Sequence, residues 1–258
     1  PICSIGKKIG LSDELVMRHP FPGPGLSINV LCNDGKAKEG DSEELKKAQA
    51  ELDGVTFTQF CENCSQHLRR SVLPVRSVGV QGDFRTYRFP AVLTFKNEDG
   101  AEEADKGFYH LPKKWEKLDS ASVAITNSAR YINRCVIKLW QNPAISDSDL
   151  SLQEGYCDKR RLDQTREADK IVLDALHKSG WYGKIFQHLT INLPYASSAD
   201  RCTIVLRPVV SEDVMTARFA PLPQDMVKEI VAGIAKLGFV DAVYYDVTNK
   251  PPATFGWE

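Results

Sequence analysis

The sequence predicts an α+β protein built from two related subdomains, each a small sheet packed with helices. Three observations predict it. The order helix, strand, strand, helix, strand reads twice along the 258 residues, and each reading is long enough to bury a core of its own. Short signatures recur in one order in both halves: Gln66-His67-Leu68 before Leu73-Pro74, against Gln187-His188-Leu189 before Leu193-Pro194. Leu111-Pro112 then opens one later helix and Leu222-Pro223 the other, as a diverged internal duplication would. Finally, 42% apolar and 26% charged residues is a globular composition.

Taken in order, Ser12 offers an N-cap for a short helix over residues 12–17, which the Pro20-Phe21-Pro22-Gly23-Pro24-Gly25 run cannot continue. Leu26, Ile28 and Val30 alternate as a short strand should. The polar stretch 33–41 leads to a helical region that Gly54 splits into helices over about 42–53 and 55–70. Segments 72–80 and 86–95, joined by Gln81-Gly82-Asp83-Phe84-Arg85, read as a hairpin. After the acidic loop 97–105, Pro112 suits a first helical turn, followed by a helix to about Tyr131 and a strand over 135–139. Residues 141–159, rich in Asn, Pro, Ser, Asp and Gly, form the linker.

In the second half, Ala168, Ile171, Val172, Ala175 and Leu176 form one apolar helix face, with Gly180 where a left-handed cap belongs. Strands are expected at 185–193 and 202–210, then a helix over 223–237 closed by Gly238 and a strand over 240–247.

A net charge of −1 gives no global field to attract nucleic acid or an acidic membrane, although a local Arg or Lys pocket can still hold one phosphate. No charged-then-apolar leader and no segment of about 20 apolar residues is present, so a cytoplasmic location is expected. Seven scattered cysteines read as free thiols in a reducing compartment. The chain begins at proline, as though in mid-protein.

Cys61 and Cys64 have CxxC spacing, yet no second pair completes a zinc site; they read as two small helix residues. The histidines show neither HxH nor HExxH spacing, so no metal site is proposed. GxSxG, GxGxxG and the Walker loop are all missing. What remains is a set of rigid loops. The PFPGPG run either connects domains or lets backbone approach a flat ligand closely. Asp83 and Arg85 sit two apart at a hairpin tip, either as a turn with a solvated Arg or as partners for hydroxyls and phosphate. Lys250-Pro251-Pro252 reads as an extended, stiff segment carrying a phosphate-suited charge, and Trp257 hints that the tail docks.

RHPFPGPGL at 18–26, LPVRSVGVQGDFRTY at 73–87, ADKIVLDALHKSGWYGKIFQ at 168–187 and YDVTNKPPAT at 245–254 with a closing Trp-Glu together resemble GMP synthetase, the glutamine-hydrolysing enzyme of purine synthesis. The wide separation and order of these motifs resemble the enlarged eukaryotic type, whose C-terminal region carries two copies of a dimerisation unit. The resemblance divides the chain into 1–25, the end of an ATP pyrophosphatase domain with the PFPGPG connector; 26–140, a first dimerisation-type subdomain; the linker 141–159; and 160–258, a second with an XMP-binding tail.

Such enzymes make GMP from XMP, ATP and glutamine, and the full-length family uses ATP with Mg. The resemblance implies a ligase region that binds XMP and forms a homodimer, working with glutaminase and ATP pyrophosphatase domains, with no nucleic-acid or membrane partner. It implies no catalytic residue and no cofactor in this stretch, and no activity for it alone. Asp83, Arg85, Gln187 and Lys250 match nucleotide-binding positions, and Pro22, Gly23, Pro24, Gly25 and Thr254 are possible loop contacts. Asn29 and Gly256 depart from the family's Arg and Glu. A non-catalytic assembly module of the same fold, without XMP recognition, is the alternative.

Overall fold

A computed structural model describes residues 2–16, 18–20, 25–36, 40–57, 68–82, 84–95 and 106–258. Helices α1 (Ile2–Lys8) and α2 (Asp13–Val16) come first. Ser12 caps α2, its Oγ accepting from the Leu15 N–H at 3.4 Å. A 3-10 turn (Gly25–Asn29), β1 (Asn33–Asp34) and α3 (Asp41–Gly54) lead into β2 (Leu68–Val72), β3 (Ser77–Gln81) and β4 (Phe84–Phe95). Helix α4 (Trp115–Ser128) and β5 (Ile132–Gln141) close the first half.

Strands β6 (Ser151–Leu152) and β7 (Glu154–Gly155) precede α5 (Lys159–Lys178), β8 (Gln187–Leu193), β9 (Tyr195–Ala196), β10 (Cys202–Val210) and β11 (Arg218–Phe219). Helix α6 (Gln224–Ile234) and β12 (Val240–Asp246) complete the order. The fold is mixed α/β.

Helix α5 shows how local sequence sets an element. The Asp158 side chain accepts from the Arg161 N–H at 2.8 Å and so satisfies one of the free donors of the first turn. His177 and Lys178 stand in the last turn, where cations suit the helix dipole. Gly180 takes a φ of 70°, and the Trp181 N–H returns to the Leu176 carbonyl at 2.9 Å, ending the helix.

Strands from both halves enter one eight-stranded sheet, in the order β11-β10-β12-β5-β4-β2, with β8 also against β10 and β3 also against β4. Each half contains a parallel pair joined through a helix: β4 and β5 through α4, β10 and β12 through α6. Both ladders slip after their first pair, between Phe89 and Pro90 and between Cys202 and Thr203. The residues just past the slips face the recurrent Leu-Pro signatures: the Leu73 N–H donates to the Pro90 carbonyl, and Leu193 pairs with Thr203. The halves meet where β5 and β12 run antiparallel, with Val136 opposite Asp246, Ile137 opposite Tyr245 and Lys138 opposite Tyr244.

Alternation along each strand gives the sheet two faces. Leu93, Ile137, Leu206 and Tyr245 turn to the helices, meeting Leu118 and Ile125 of α4, Val172 and Leu176 of α5 and Ile230 of α6. Val92, Val136, Val205 and Tyr244 turn the other way, against Leu31, Leu73, Val75 and Trp257. The C-terminal tail therefore lies on the face away from the helices.

Several expectations need correction. Leu26–Val30 is not a strand: it forms the 3-10 turn over α5 and β8, and only Val30 makes a bridge, to Asn192. The second helix expected over 55–70 does not reach Arg70, because Leu68–Val72 pairs with β4 as strand β2; residues 58–67, with Cys61, Cys64 and Gln66-His67, lie outside the described residues. The hairpin's first arm is broken, β2 ending at Val72 and β3 starting at Ser77, because Pro74 has no N–H for a ladder. Residues 141–159 carry β6 and β7, which pair with β9 and β1.

Candidate functional site

Beyond β12 the chain turns back across the sheet. Asp246 of β12, Arg134 of β5 and Arg207 of β10 are fully buried there. Asp246 Oδ2 accepts from Arg134 Nη1 at 3.0 Å and Trp257 Nε1 at 2.9 Å, and forms an ion pair with Arg207 Nη1 at 2.9 Å. Two guanidinium groups thus share one carboxylate, an arrangement that costs several kcal/mol per ion unless the remaining donors are also satisfied.

The tail supplies several of those acceptors, although Arg134 Nε has no partner among the described residues. Arg207 donates through Nε to the Phe255 carbonyl and through Nη2 to the Thr254 carbonyl, both at 2.7 Å. Arg134 Nη2 donates to Thr254 Oγ1 at 2.9 Å, to the Val78 carbonyl at 3.0 Å and to the Gly256 carbonyl. Burial alone would raise the Asp246 carboxyl, but Arg207 and Arg134 hold it below the usual carboxylate range. Burial, and then the like charge of Arg207, pushes Arg134 down to about 9, so it stays cationic at neutral pH.

Strand β3 fixes the other side of the tail. The Val80 N–H donates to the Pro252 carbonyl at 2.7 Å and the Val78 N–H to the Trp257 carbonyl at 2.8 Å. A Cβ at Gly79 would stand 2.8 Å from Asn133 Nδ2 and 2.9 Å from the Pro252 carbonyl oxygen, so glycine is what permits this approach. The expected extended Lys250-Pro251-Pro252 segment is instead a turn, with both X-Pro bonds cis. Trp257 is docked and almost fully buried.

Lys250 is held through both its main chain and its side chain. Its main chain pairs with Ala217, its Nζ donates to the Val214 carbonyl at 2.6 Å, and it lies 4.7 Å above the Phe255 ring. Phe255 in turn packs on Phe186, ring centres 5.5 Å apart. A cleft of about 600 Å³ opens beside this group, lined by Lys184, Phe186, Ser211, Asp213, Ala217 and Arg218. Gln187, next along from Phe186, is buried, and its Nε2 donates to the Pro20 carbonyl at 2.7 Å. The same segment is pinned by His19, whose ring stacks 3.8 Å from Tyr182, while His177 covers Tyr182 at 4.0 Å.

Arg85 is exposed at the start of β4, opposite Val80, the residue that holds Pro252. The hairpin and the tail are thus brought together, and Lys250 sits over Phe255, which packs on Phe186, the chain neighbour of Gln187. Thr254 spends its hydroxyl within the tail, donating to the Gly256 carbonyl at 2.6 Å. Gly25, φ 67°, begins the 3-10 turn. Asp83, Pro22, Gly23 and Pro24 lie outside the described residues. Asn29 is buried in the 3-10 turn, its Oδ1 without a partner among the described residues.

Sequence reasoning missed Arg134, Arg207 and Asp246. The available signal was charge inside apolar strand runs, since a buried ion must be paired. Among the described residues no group of three or more His, Cys, Asp or Glu side chains is placed to hold a metal, and no helix is long and apolar enough to cross a membrane.

Residues 174–257, from the end of α5 to the docked tryptophan, match the family model described as GMP synthase C terminal domain. The chain is related to GMP synthase. It is 33% identical over 254 residues to a probable glutamine-hydrolysing GMP synthase of Leptospira interrogans, covering 98% of this chain and 37% of that protein. The GMP synthase of Dictyostelium discoideum is 27% identical over 282 residues, covering 97% of this chain and 38% of its own length. That of Symbiobacterium thermophilum is 37% identical over 142 residues, covering only 54% of this chain and 26% of its own length. The chain thus spans about two-fifths or less of these GMP synthases, and both a bacterium and a eukaryote supply relatives across nearly all of it.

Proposed function

We propose that this chain is the XMP-recognising part of a GMP synthase that makes GMP from XMP with ATP and glutamine. The observation that carries the reading is the placement of Lys250: a cation whose main chain pairs with Ala217 of the cleft lining, on a tail clamped by Arg134 and Arg207, over Phe255, which packs on Phe186 of the same lining. Lys250 and Arg85 suit the XMP phosphate by charge, and Gln187 and Asp83 suit hydroxyls or base edges. A phosphate oxygen would take the place of the Val214 carbonyl on Lys250 Nζ. The adenylation and ammonia-releasing steps, with ATP and Mg, belong to residues this sequence does not contain: it has neither an SGGVDSS loop nor a glutaminase nucleophile motif.

Calorimetric titration with XMP tests this on the protein carrying its complete N-terminal region. Lys250→Ala should weaken XMP binding at least tenfold, the loss of one charged hydrogen bond being worth about 1.5–3 kcal/mol. XMP binding that is undetectable in the unmodified protein, or unchanged in Lys250→Ala, ends the proposal.

The matched slips and matched Leu-Pro positions support reading the two β-β-α-β units as copies of one ancestral unit. On that reading, β5 and β12 make inside one chain the contact that two separate units would make as a dimer. A homodimer of this chain would then use another surface. Light scattering distinguishes the cases, a 28.8 kDa species meaning that the internal junction suffices.

A further inference from the structure

Cys32 and Cys157 are exposed thiols at the same end of one small ladder. Strands β1 and β7 run antiparallel, with Asn33 opposite Gly155 and Asp34 opposite Glu154. Continued by one residue, that register sets Cys32 opposite Tyr156, and by two it sets Leu31 opposite Cys157. Strands so paired stand about 5 Å apart, which brings the two cysteines into the roughly 4.4–6.8 Å Cα separation that a disulfide spans. A tight turn, closed by the Asp158 N–H on the Tyr156 carbonyl at 2.9 Å, swings Cys157 back, and its N–H is directed at the Cys32 sulfur.

Unlike the buried Cys135 and Cys202, both thiols are open to solvent. Burial, and then the Glu258 carboxylate, raises the Cys32 thiol, while the Arg161 guanidinium beside it favours the thiolate. Arg161 also fastens this corner, donating to the Leu31 carbonyl at 2.5 Å and to the Asn192 carbonyl at 3.0 Å. The Cys32 N–H reaches Glu258 Oε1 at 3.4 Å, so the pair also adjoins the last residue of the tail. Cys135 and Cys202 differ: both are buried, and burial pushes both thiols up, Cys202 to about 12, which leaves them unreactive.

We propose that Cys32 and Cys157 are a redox-sensitive pair that closes into a reversible disulfide, bracing the segment after the 3-10 turn against the start of α5. The oxidant is a low-molecular-weight disulfide. One cysteine thiolate attacks it, forming a mixed disulfide and releasing one thiol. The second thiolate then attacks the protein-bound sulfur, forming the Cys32–Cys157 bond and releasing the second thiol. Two cysteines lose two protons and two electrons, and the reagent is reduced to two thiols. Closing a long loop restricts the unfolded chain and stabilises the folded one. This site is separate from the XMP reading and does not depend on it.

The test treats the protein with oxidised glutathione, maps disulfides by mass spectrometry and follows thermal melting. The expected result is a Cys32–Cys157 peptide, a melting temperature raised by about 5 °C and reversal of both by dithiothreitol. Cys32→Ser and Cys157→Ser, each exposed and near-isosteric, should lose both effects, and Glu258→Gln should speed closure several-fold at neutral pH. Cysteines 32 and 157 that remain separately glutathionylated, a cross-link mapping to Cys3, Cys61 or Cys64 instead, or a cross-link without a rise in melting temperature would overturn the proposal.

Discussion

The Trp257 indole donates its Nε1–H to Asp246 Oδ2 at 2.9 Å, inside the protein and across 11 residues of chain. This bond ties the end of the tail to the carboxylate that Arg134 and Arg207 already share, so the tail is an integral part of the fold. Trp257→Phe keeps most of the packing but leaves that carboxylate a donor short, and should cost about 1–3 kcal/mol. Trp257→Ala should cost about 3–5 kcal/mol. Urea unfolding of the two variants measures both, and equal losses would mean that the hydrogen bond contributes nothing.

Asp246→Asn leaves two buried guanidinium groups without a counter-charge and should destabilise by about 3–5 kcal/mol. Because the folded-state carboxyl is held below its unfolded value, its stabilisation is fully present above about pH 4 and fades as pH falls further. Below pH 4 the urea midpoint should therefore fall more steeply for the wild type than for Asp246→Asn.

His188 supplies a second pH dependence. Burial, and then the nearby His19, pushes it down to about 3. Its Nε2–H donates to Thr190 Oγ1, which donates to Asp169, so the folded state holds it neutral. Between about pH 6.5 and 3 the unfolded chain takes up a proton that the folded one refuses. Stability should fall with pH there by up to about 1.4 kcal/mol per unit. Asp169, whose carboxyl burial raises, works in the opposite sense near the bottom of that range. Melting at pH 7 and pH 5 should show a clear drop for the wild type and a smaller one for His188→Gln.

Gly79→Ala should displace the tail, because its methyl would meet the Pro252 carbonyl and Asn133. Gly256→Ala is the control, since a Cβ there meets nothing within 4 Å and should change stability by under about 0.5 kcal/mol. Acrylamide quenching of Trp257 fluorescence, with the other tryptophans replaced by Phe in both variants, reports the displacement. Equal quenching would show that β3 does not hold the tail.

Elements whose cause is local were legible in advance. Helix α5 carries its own apolar stripe and terminal glycine. Prediction failed where partners are distant. Leu68–Arg70 continues a helical-looking stretch but is captured by β4, and the alternating Leu26, Ile28 and Val30 have almost no ladder to join. For the candidate site, Lys250, Gln187 and Arg85 could be picked out by residue type and motif. That Gln187 holds Pro20, and that Lys250 is clamped against Phe255, could not.

By itself, then, the sequence determined where helices such as α5 and strands such as β8, β10 and β12 lie, because periodicity and turn residues act over a few positions. Only the tertiary structure decided that both halves share one sheet, and that Arg134, Arg207 and Asp246 converge beneath the tail. The cost of burying those charges is offset in part by the Thr254 hydroxyl and by carbonyls of residues 78 and 254–256, and no local pattern records where a distant carbonyl will fall.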